Sequence, residues 1–434
     1  MPEIASTPHA LIVAAKDLTY NTRVQRQAGS LVAAGWRISV AALELPDIAL
    51  RARTPSVEYI RLTLPHPLQA CERAWAHWRD RKAVHNTLPA AVKTPAQRRV
   101  TGLRRLLVPW AELVTRALFA RACYRALDGV RYDVVQAHDA AALRAAARLA
   151  RKCGAAFVYD ALEFVDDRAP TTGGVIARAL RRFESWREER LVRRADAVFA
   201  IGGAMRDWMT TRYNIAPPFL LRNCREFVDA PARGRLRDAL GLAPAARIAL
   251  CANSIVPGEG LEQFISALMR LPSDIHGVVL GPSRQPDYRR ALDDFTRQHG
   301  MQSRVHFPAP CRPDEVVSYF ADADVGVIPR QNTGRNHYLS LPNRLFEMIM
   351  ARLPIVASAF PDLDAVITEH DIGTTFDERD PAAIAAAICG ALESSAQAHW
   401  RAQLELAARR LCWEEESREY CACLAELAAP RAHR

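Results

Sequence analysis

Residues 340–347 read SLPNRLFE. Serine caps free helix amides, and proline is tolerated where the first helical N–H has no partner, so the pair marks a helix start. The unbonded amides and the dipole at such a start suit phosphate oxygens. Glu347 follows Asn343 at i, i+4 and lies on the same side of the helix. A carboxylate there can accept hydrogen bonds from both hydroxyls of a vicinal diol such as a ribose. The start at Ser340, Leu341, Pro342 and Asn343 therefore suits phosphate oxygens, and Glu347 suits a diol. Their spacing also fits a solvent-facing glutamate on an amphipathic helix. A second candidate is His138, which closes the strand-like run VVQAH and is followed by Asp139. A histidine in that place is either a packed structural group or a reacting one.

Short apolar runs alternate with helix-length segments on both sides of these residues. In the first half they are 10–15, 36–43, 133–138, 155–160 and 196–202; in the second, 247–253, 277–281, 304–309, 324–329 and 354–358. Strands alternating with helices imply an α/β protein with two open, doubly wound parallel sheets. Ligands of such sheets gather at the carboxyl ends of the strands, where SLPN and His138 both fall.

The chain has 434 residues, half of them hydrophobic and 24% charged, which suits a folded protein of two domains. A polar, proline-containing stretch at 213–244 places the boundary near residue 230. The expected division is 1–228, 229–405 and a last helical segment 406–434. The net charge of +10, carried mostly by arginine, favours an anionic partner, though an Ala/Arg-rich composition alone also produces it. No basic-aromatic recognition module points to nucleic acid. The ten cysteines lack zinc-like spacing and read as reduced thiols. No run approaches the roughly 20 apolar residues that span a bilayer, and the N-terminus does not read as a secretion signal. A cytoplasmic protein is expected. Residues 67–127 break the strand–helix rhythm with arginine-flanked apolar positions. They form either a helical insertion packed on its own domain or an amphipathic surface that meets an anionic membrane from its inner face.

SLPNRLFEMIMARLPIVAS resembles the donor-binding segment of the retaining GT-B glycosyltransferases of family 4, the group 1-like enzymes. KDLTYNTRVQRQAGSLVAAGWRISV, YDVVQAHDAAAL, AAFVYDALEF, ADAVFAIGGAMRDWM, GVVLGPS, VHFPAPCRPDEVVSYFADADVGVIP and CWEEESREYCACLAEL resemble further family segments in the family's order. The resemblance implies two Rossmann-like domains facing across a cleft, an acceptor-binding first domain, a donor-binding second one, and a C-terminal helix crossing back. It implies metal-independent, hexosyltransferase-like transfer from a nucleotide-diphosphate sugar, with no cofactor. The acceptor would be a polysaccharide, a lipid-linked glycan or a small molecule.

By the same resemblance Glu347 binds the donor ribose, amides of Ser340–Asn343 hold the diphosphate, and Gly281 lets the nucleotide approach. His138 is similar to the histidine near the donor sugar's C6 hydroxyl, with Asp139 beside it. Asp160 and Glu163 in DALE match an acceptor-side motif whose histidine is here Leu162. Other positions depart from the pattern. Leu339 stands where a first acid is usual, as in a subgroup that carries Asn336. Ser254 and Glu259 replace the basic residues of a phosphate-clamping loop, and an acid facing a diphosphate is unfavourable. Arg284, Arg335 or, in the first domain, Arg23 would then supply the cation. Arg352 replaces a glycine that normally ends the donor helix. These departures leave a catalytically impaired nucleotide-sugar-binding homologue or partner subunit as the alternative. An isomerase on the same architecture is a further one.

Overall fold

The computed structural model describes residues 7–15, 22–43, 56–62, 114–115, 117–164, 175–243, 245–283 and 285–429. The chain divides into two compact units. Unit 1 takes the described residues up to Arg222 and those from Glu416 onward; unit 2 is Asn223–Glu415.

Unit 1 holds seven strands: β1 (His9–Ala14), β2 (Arg37–Leu43), β3 (Val57–Leu62), β4 (Val134–His138), β5 (Ala156–Ala161), β6 (Ala197–Ala200) and β7 (Phe219–Leu220). They form one parallel sheet ordered β3-β2-β1-β4-β5-β6-β7. Every residue of β1, β4 and β5 is buried, which is why these strands read as mainly apolar runs rather than alternating ones, with buried polar exceptions such as Gln136, His138 and Asp160. The end of the C-terminal helix Trp413–Ala428 belongs to this unit, with Tyr420 fully buried and edge-on to Phe199 at 5.4 Å.

Unit 2 holds β8 (Arg247–Cys251), β9 (Ile275–Val279), β10 (Val305–His306), β11 (Val325–Ile328), β12 (Ile355–Ser358) and β13 (Gly373–Phe376). Its sheet is also parallel, ordered β10-β9-β8-β11-β12-β13. Alternate residues feed two cores. Ile248 and Leu250 pack with Leu345, Phe346 and Met348 of the helix Asn343–Met350. Ala249 and Cys251 pack on the other face with Phe264, Ile265 and Ile384. Parallel sheets covered by helices on both faces satisfy the doubly wound expectation.

The strands that sequence reasoning passed over are β3, β7 and β13, and all three end a sheet. An edge strand needs no two-sided apolar run: β3 exposes or half-exposes five of its six residues, and β13 reads GTTF. Most of the expected insertion 67–127 lies outside the described residues. Of its described part, residues 117–126 are helical, with Phe119 and Cys123 buried. Among the described residues no helix is long and apolar enough to cross a membrane.

Candidate functional site

Both sheets have one place where strand order reverses, between β1 and β4 in unit 1 and between β8 and β11 in unit 2. Chains leaving neighbouring strands there diverge to opposite faces and open a crevice. The candidate residues lie around these two points.

In unit 1, β4 ends on His138, which is 1% exposed, and its Nδ1 lies 3.2 Å from Asp160 Oδ2. Arg23 grips the same carboxylate with two bonds, Nε to Oδ2 at 2.9 Å and Nη2 to Oδ1 at 2.6 Å. Gln27 Nε2 donates a further bond to Oδ2 at 2.9 Å. Burial opposes ionisation of Asp160, but the Arg23 charge and the bonds from His138 and Arg23 overcome it and hold the carboxyl far below its usual range. An ionised carboxylate only accepts, so the His138 proton sits on Nδ1. The network continues outward: Gln136 Nε2 donates to Gln27 Oε1 at 3.1 Å, and Tyr420 OH donates to Gln136 Oε1 at 2.7 Å. Among the described residues of this cluster, Arg23 Nη1 is buried without a hydrogen-bond partner.

The Arg23 charge is thus engaged by Asp160 inside unit 1. Asp139 has a local role as well. Its backbone is left-handed (φ 74°), and Oδ1 accepts from the amides of Ala141 at 2.8 Å and Ala142 at 3.3 Å, just before the helix Leu143–Cys153. Asp is among the few non-glycine residues that tolerate this conformation, because its short side chain bonds neighbouring amides, as here. Glu163 and Leu162 are half-buried beyond the end of β5.

In unit 2 the segment after β11 runs through the short helix Arg335–Tyr338 into the helix Asn343–Met350. Ser340 does not cap the second helix: its hydroxyl donates to the Asn336 carbonyl and closes the turn of the first, while Pro342 stands at the cap. The early amides of an α-helix have no intrahelical partner. Leu341 and Pro342 are buried, and Asn343 is exposed with its Oδ1 accepting from Asn223 at 2.7 Å. Glu347 is 7% exposed and flanked by two arginines, Arg344 at 2.5 Å and Arg225 at 3.6 Å. The three groups carry a net +1 beside the helix start. A carboxylate has about four acceptor positions, so capacity remains for a diol.

Arg335 and Asn336 are half-buried, and Leu339 caps the short helix, so no acid stands there. Arg284 lies outside the described residues. Gly281 is demanded by the protein's own backbone, since a Cβ there would lie 2.0 Å from the Asn253 carbonyl oxygen. Ser254 is half-buried; Glu259 is buried, 3.7 Å from Arg330 Nε. Arg352 does not cost the helix Asn343–Met350 its terminator, because it takes the left-handed conformation itself (φ 56°). It is held there by Nη1 to Met350 O at 2.6 Å, Nη2 to Asp229 O at 3.2 Å and Nε to Glu405 at 3.0 Å.

Sequence reasoning missed Arg225, Arg344 and Arg330. Arg344 had a signal, its i, i+3 spacing to Glu347. Arg225 and Arg330 had none, because their partners are distant in sequence. The described cysteines are free, and burial pushes Cys421 and Cys423 up to about 11.

This architecture is the fold of the GT-B glycosyltransferases. Residues 246–394 match the family model "Glycosyl transferases group 1", and residues 82–220 match "Glycosyl transferase 4-like domain". A D-inositol 3-phosphate glycosyltransferase of Xylanimonas cellulosilytica is 30% identical over 195 residues, 43% of this chain and 44% of that one. The chain thus matches less than half the length of that curated relative. Among solved structures, a sucrose-phosphate synthase from Thermosynechococcus elongatus superposes with a TM-score of 0.74 at 17% identity, over 98% of this chain and 99% of that one. Anabaena Alr3699/HepE in complex with UDP gives 0.68 at 14% identity, over 97% and 100%.

Proposed function

We propose that the protein is a retaining, metal-independent glycosyltransferase of family 4 that takes its sugar from a nucleoside-diphosphate sugar. The observation that carries this reading is the buried Glu347 between Arg344 and Arg225 at the start of the helix Asn343–Met350. A net positive helix start suits a diphosphate, and a buried carboxylate beside it suits the two hydroxyls of the ribose. The family matches in both units and the UDP complex of a GT-B neighbour agree with it.

In this reading the bond between the sugar C1 and the diphosphate oxygen breaks with its electron pair going to the phosphate. The acceptor oxygen bonds to C1 on the same face, and its proton passes to the departing phosphate. The helix start and Arg344 offset the charge that grows on the leaving group. His138, held by Asp160, orients the donor sugar, and unit 1 supplies the acceptor site. The acceptor is a glycan, lipid-linked or small hydroxyl compound; a lipid-linked one would hold the enzyme at the inner face of an anionic membrane.

The test is release of nucleoside diphosphate from a panel of nucleotide sugars by the purified full chain with lipid and glycan acceptors. Release that requires an acceptor is expected, and binding of no nucleoside diphosphate would overturn the reading. Glu347→Ala should weaken nucleoside-diphosphate binding by at least about tenfold. It should also abolish discrimination against the 2′,3′-dideoxy analogue; unchanged discrimination would remove the ribose role. Leu339 favours one other outcome, a homologue that binds the donor without turnover, which donor binding with no acceptor-dependent release would reveal.

A further inference from the structure

The loop after β8 carries Glu259 between two left-handed glycines, Gly258 (φ 92°) and Gly260 (φ 72°). It is pressed onto the segment leaving β11. A Cβ on Gly260 would lie 1.7 Å from the Pro329 carbonyl oxygen, and Gln331 N donates to Gly258 O at 2.9 Å. Glu259 and Arg330 therefore face each other at the β8/β11 reversal point of the sheet, the place where a doubly wound fold opens its ligand crevice.

The pair is incompletely bonded. Glu259 is 8% exposed, and its Oε2 stands 3.7 Å from Arg330 Nε, longer than a hydrogen bond. Glu259 Oε2 and Arg330 Nε and Nη1 all lack a hydrogen-bond partner although buried. His337 Nε2 reaches only 4.0 Å from Glu259 Oε1, and its Nδ1 is occupied with Thr333 Oγ1 at 3.0 Å and Gln331 O at 3.2 Å. Buried donors and an acceptor in this condition are rare in folded proteins and need an explanation.

Their chemistry narrows what could complete them. A hydroxyl donates to a carboxylate and accepts from a guanidinium at once, so it completes both sides. A diphosphate can only accept, and it would meet the Glu259 charge. The Glu259–Arg330 pair sums to zero charge, whereas Arg225, Arg344 and Glu347 sum to +1. The anion belongs at the second cluster and a neutral polyhydroxyl group at the first.

We propose that Glu259 and Arg330 form the subsite that reads hydroxyls of the donor's sugar and so set sugar specificity. This rests on the nucleotide-sugar reading of unit 2. It also gives Glu259 a purpose in a loop where a cation would be expected, and supplies from that loop the acid that position 339 lacks.

The experiment measures affinity, by titration calorimetry, for whichever of UDP, GDP, ADP or CDP binds and for the matching nucleotide sugars. For Glu259→Gln and Arg330→Lys the nucleoside diphosphate should bind as in the unmodified protein, within about threefold. The matching nucleotide sugar should lose at least about tenfold, because an unpaired site group penalises its ligand. Equal losses for both ligands would assign the pair to the phosphates and overturn the proposal. No loss for either would make it a structural ion pair and also overturn it. A measurement that needs no variant guards against misfolding: nucleotide sugars lacking one hydroxyl should bind the unmodified protein about tenfold more weakly at the positions read. If every deoxy donor binds like its parent, the proposal falls. Failure of the unmodified protein to bind any nucleoside diphosphate would instead overturn the glycosyltransferase reading, and this inference with it.

Discussion

The two reversal points treat their charges in opposite ways. In unit 1 the Asp160 carboxylate receives four hydrogen bonds from Arg23, Gln27 and His138 and is completely buried. In unit 2 Glu259 and Arg330 stop short of a hydrogen bond, and Glu347 shares its charge with arginines that are themselves partly exposed. A saturated network fixes one geometry, here the ring orientation and proton position of His138. An unsaturated one holds bonding capacity for something that arrives. Under the proposed function, the contrast gives unit 1 the orienting role and unit 2 the binding role.

The largest effect that separates them is on stability. Asp160→Asn would leave Arg23 buried against a neutral partner, and the full chain should lose about 3–5 kcal/mol in the denaturant transition of unit 1. Glu259→Gln removes a charge that already lacks hydrogen bonds to Arg330, so its cost should stay nearer 1 kcal/mol, that of an ordinary bond. Equal losses in urea titrations of the two variants would erase the contrast.

Next comes the outer end of the unit 1 network. Tyr420→Phe deletes one donor and leaves Gln136 Oε1 without it, which should cost about 1–2 kcal/mol. If the network sets His138, turnover should fall while donor KM stays constant; a change confined to stability would limit Tyr420 to packing.

The smallest effect is on pH. Asp160 has a folded pKa below its unfolded one, so its contribution is present above about pH 4 and lost as pH falls further. His276 and His306 lie with Nδ1 and Nε2 3.0 Å apart on β9 and β10. Burial depresses both, assisted by Arg304 at His276 and by His276 at His306. Their contribution is present above the unfolded histidine value near 6.5 and lost as pH falls through the depressed folded values. Hydrogen-exchange protection factors at 275–279 and 305–306, which are corrected for the intrinsic slowing of exchange at lower pH, should therefore fall between pH 7.5 and 5.5, while those in β5, which carries Asp160, should not. A β9–β10 edge indifferent to pH would show that the histidine pair does not strain it.

The strand–helix rhythm was readable because the inner strands are buried on both faces and are mostly apolar, exceptions such as Gln136, His138 and Asp160 being held by the buried network. The edge strands β3, β7 and β13 escaped because partial exposure removes that requirement. Glu347 and its helix start were readable from local spacing, as was Arg344 in principle. Arg225, Arg330 and the Gln27–Gln136–Tyr420 relay were not, since each pairing joins residues that no periodicity links. Arg352 shows the reverse: the missing glycine was plain in the sequence, but three bonds from its side chain keep the helix terminator.

The sequence by itself determined two parallel α/β units, their helix starts and the types of group placed at the strand ends. Local backbone preferences and apolar periodicity act over a few residues, so a chain carries them openly. Which charges are spent and which are kept was decided only by the tertiary structure. That choice depends on distances between residues far apart in sequence, 137 positions for Arg23 and Asp160, and on the burial that makes each distance count.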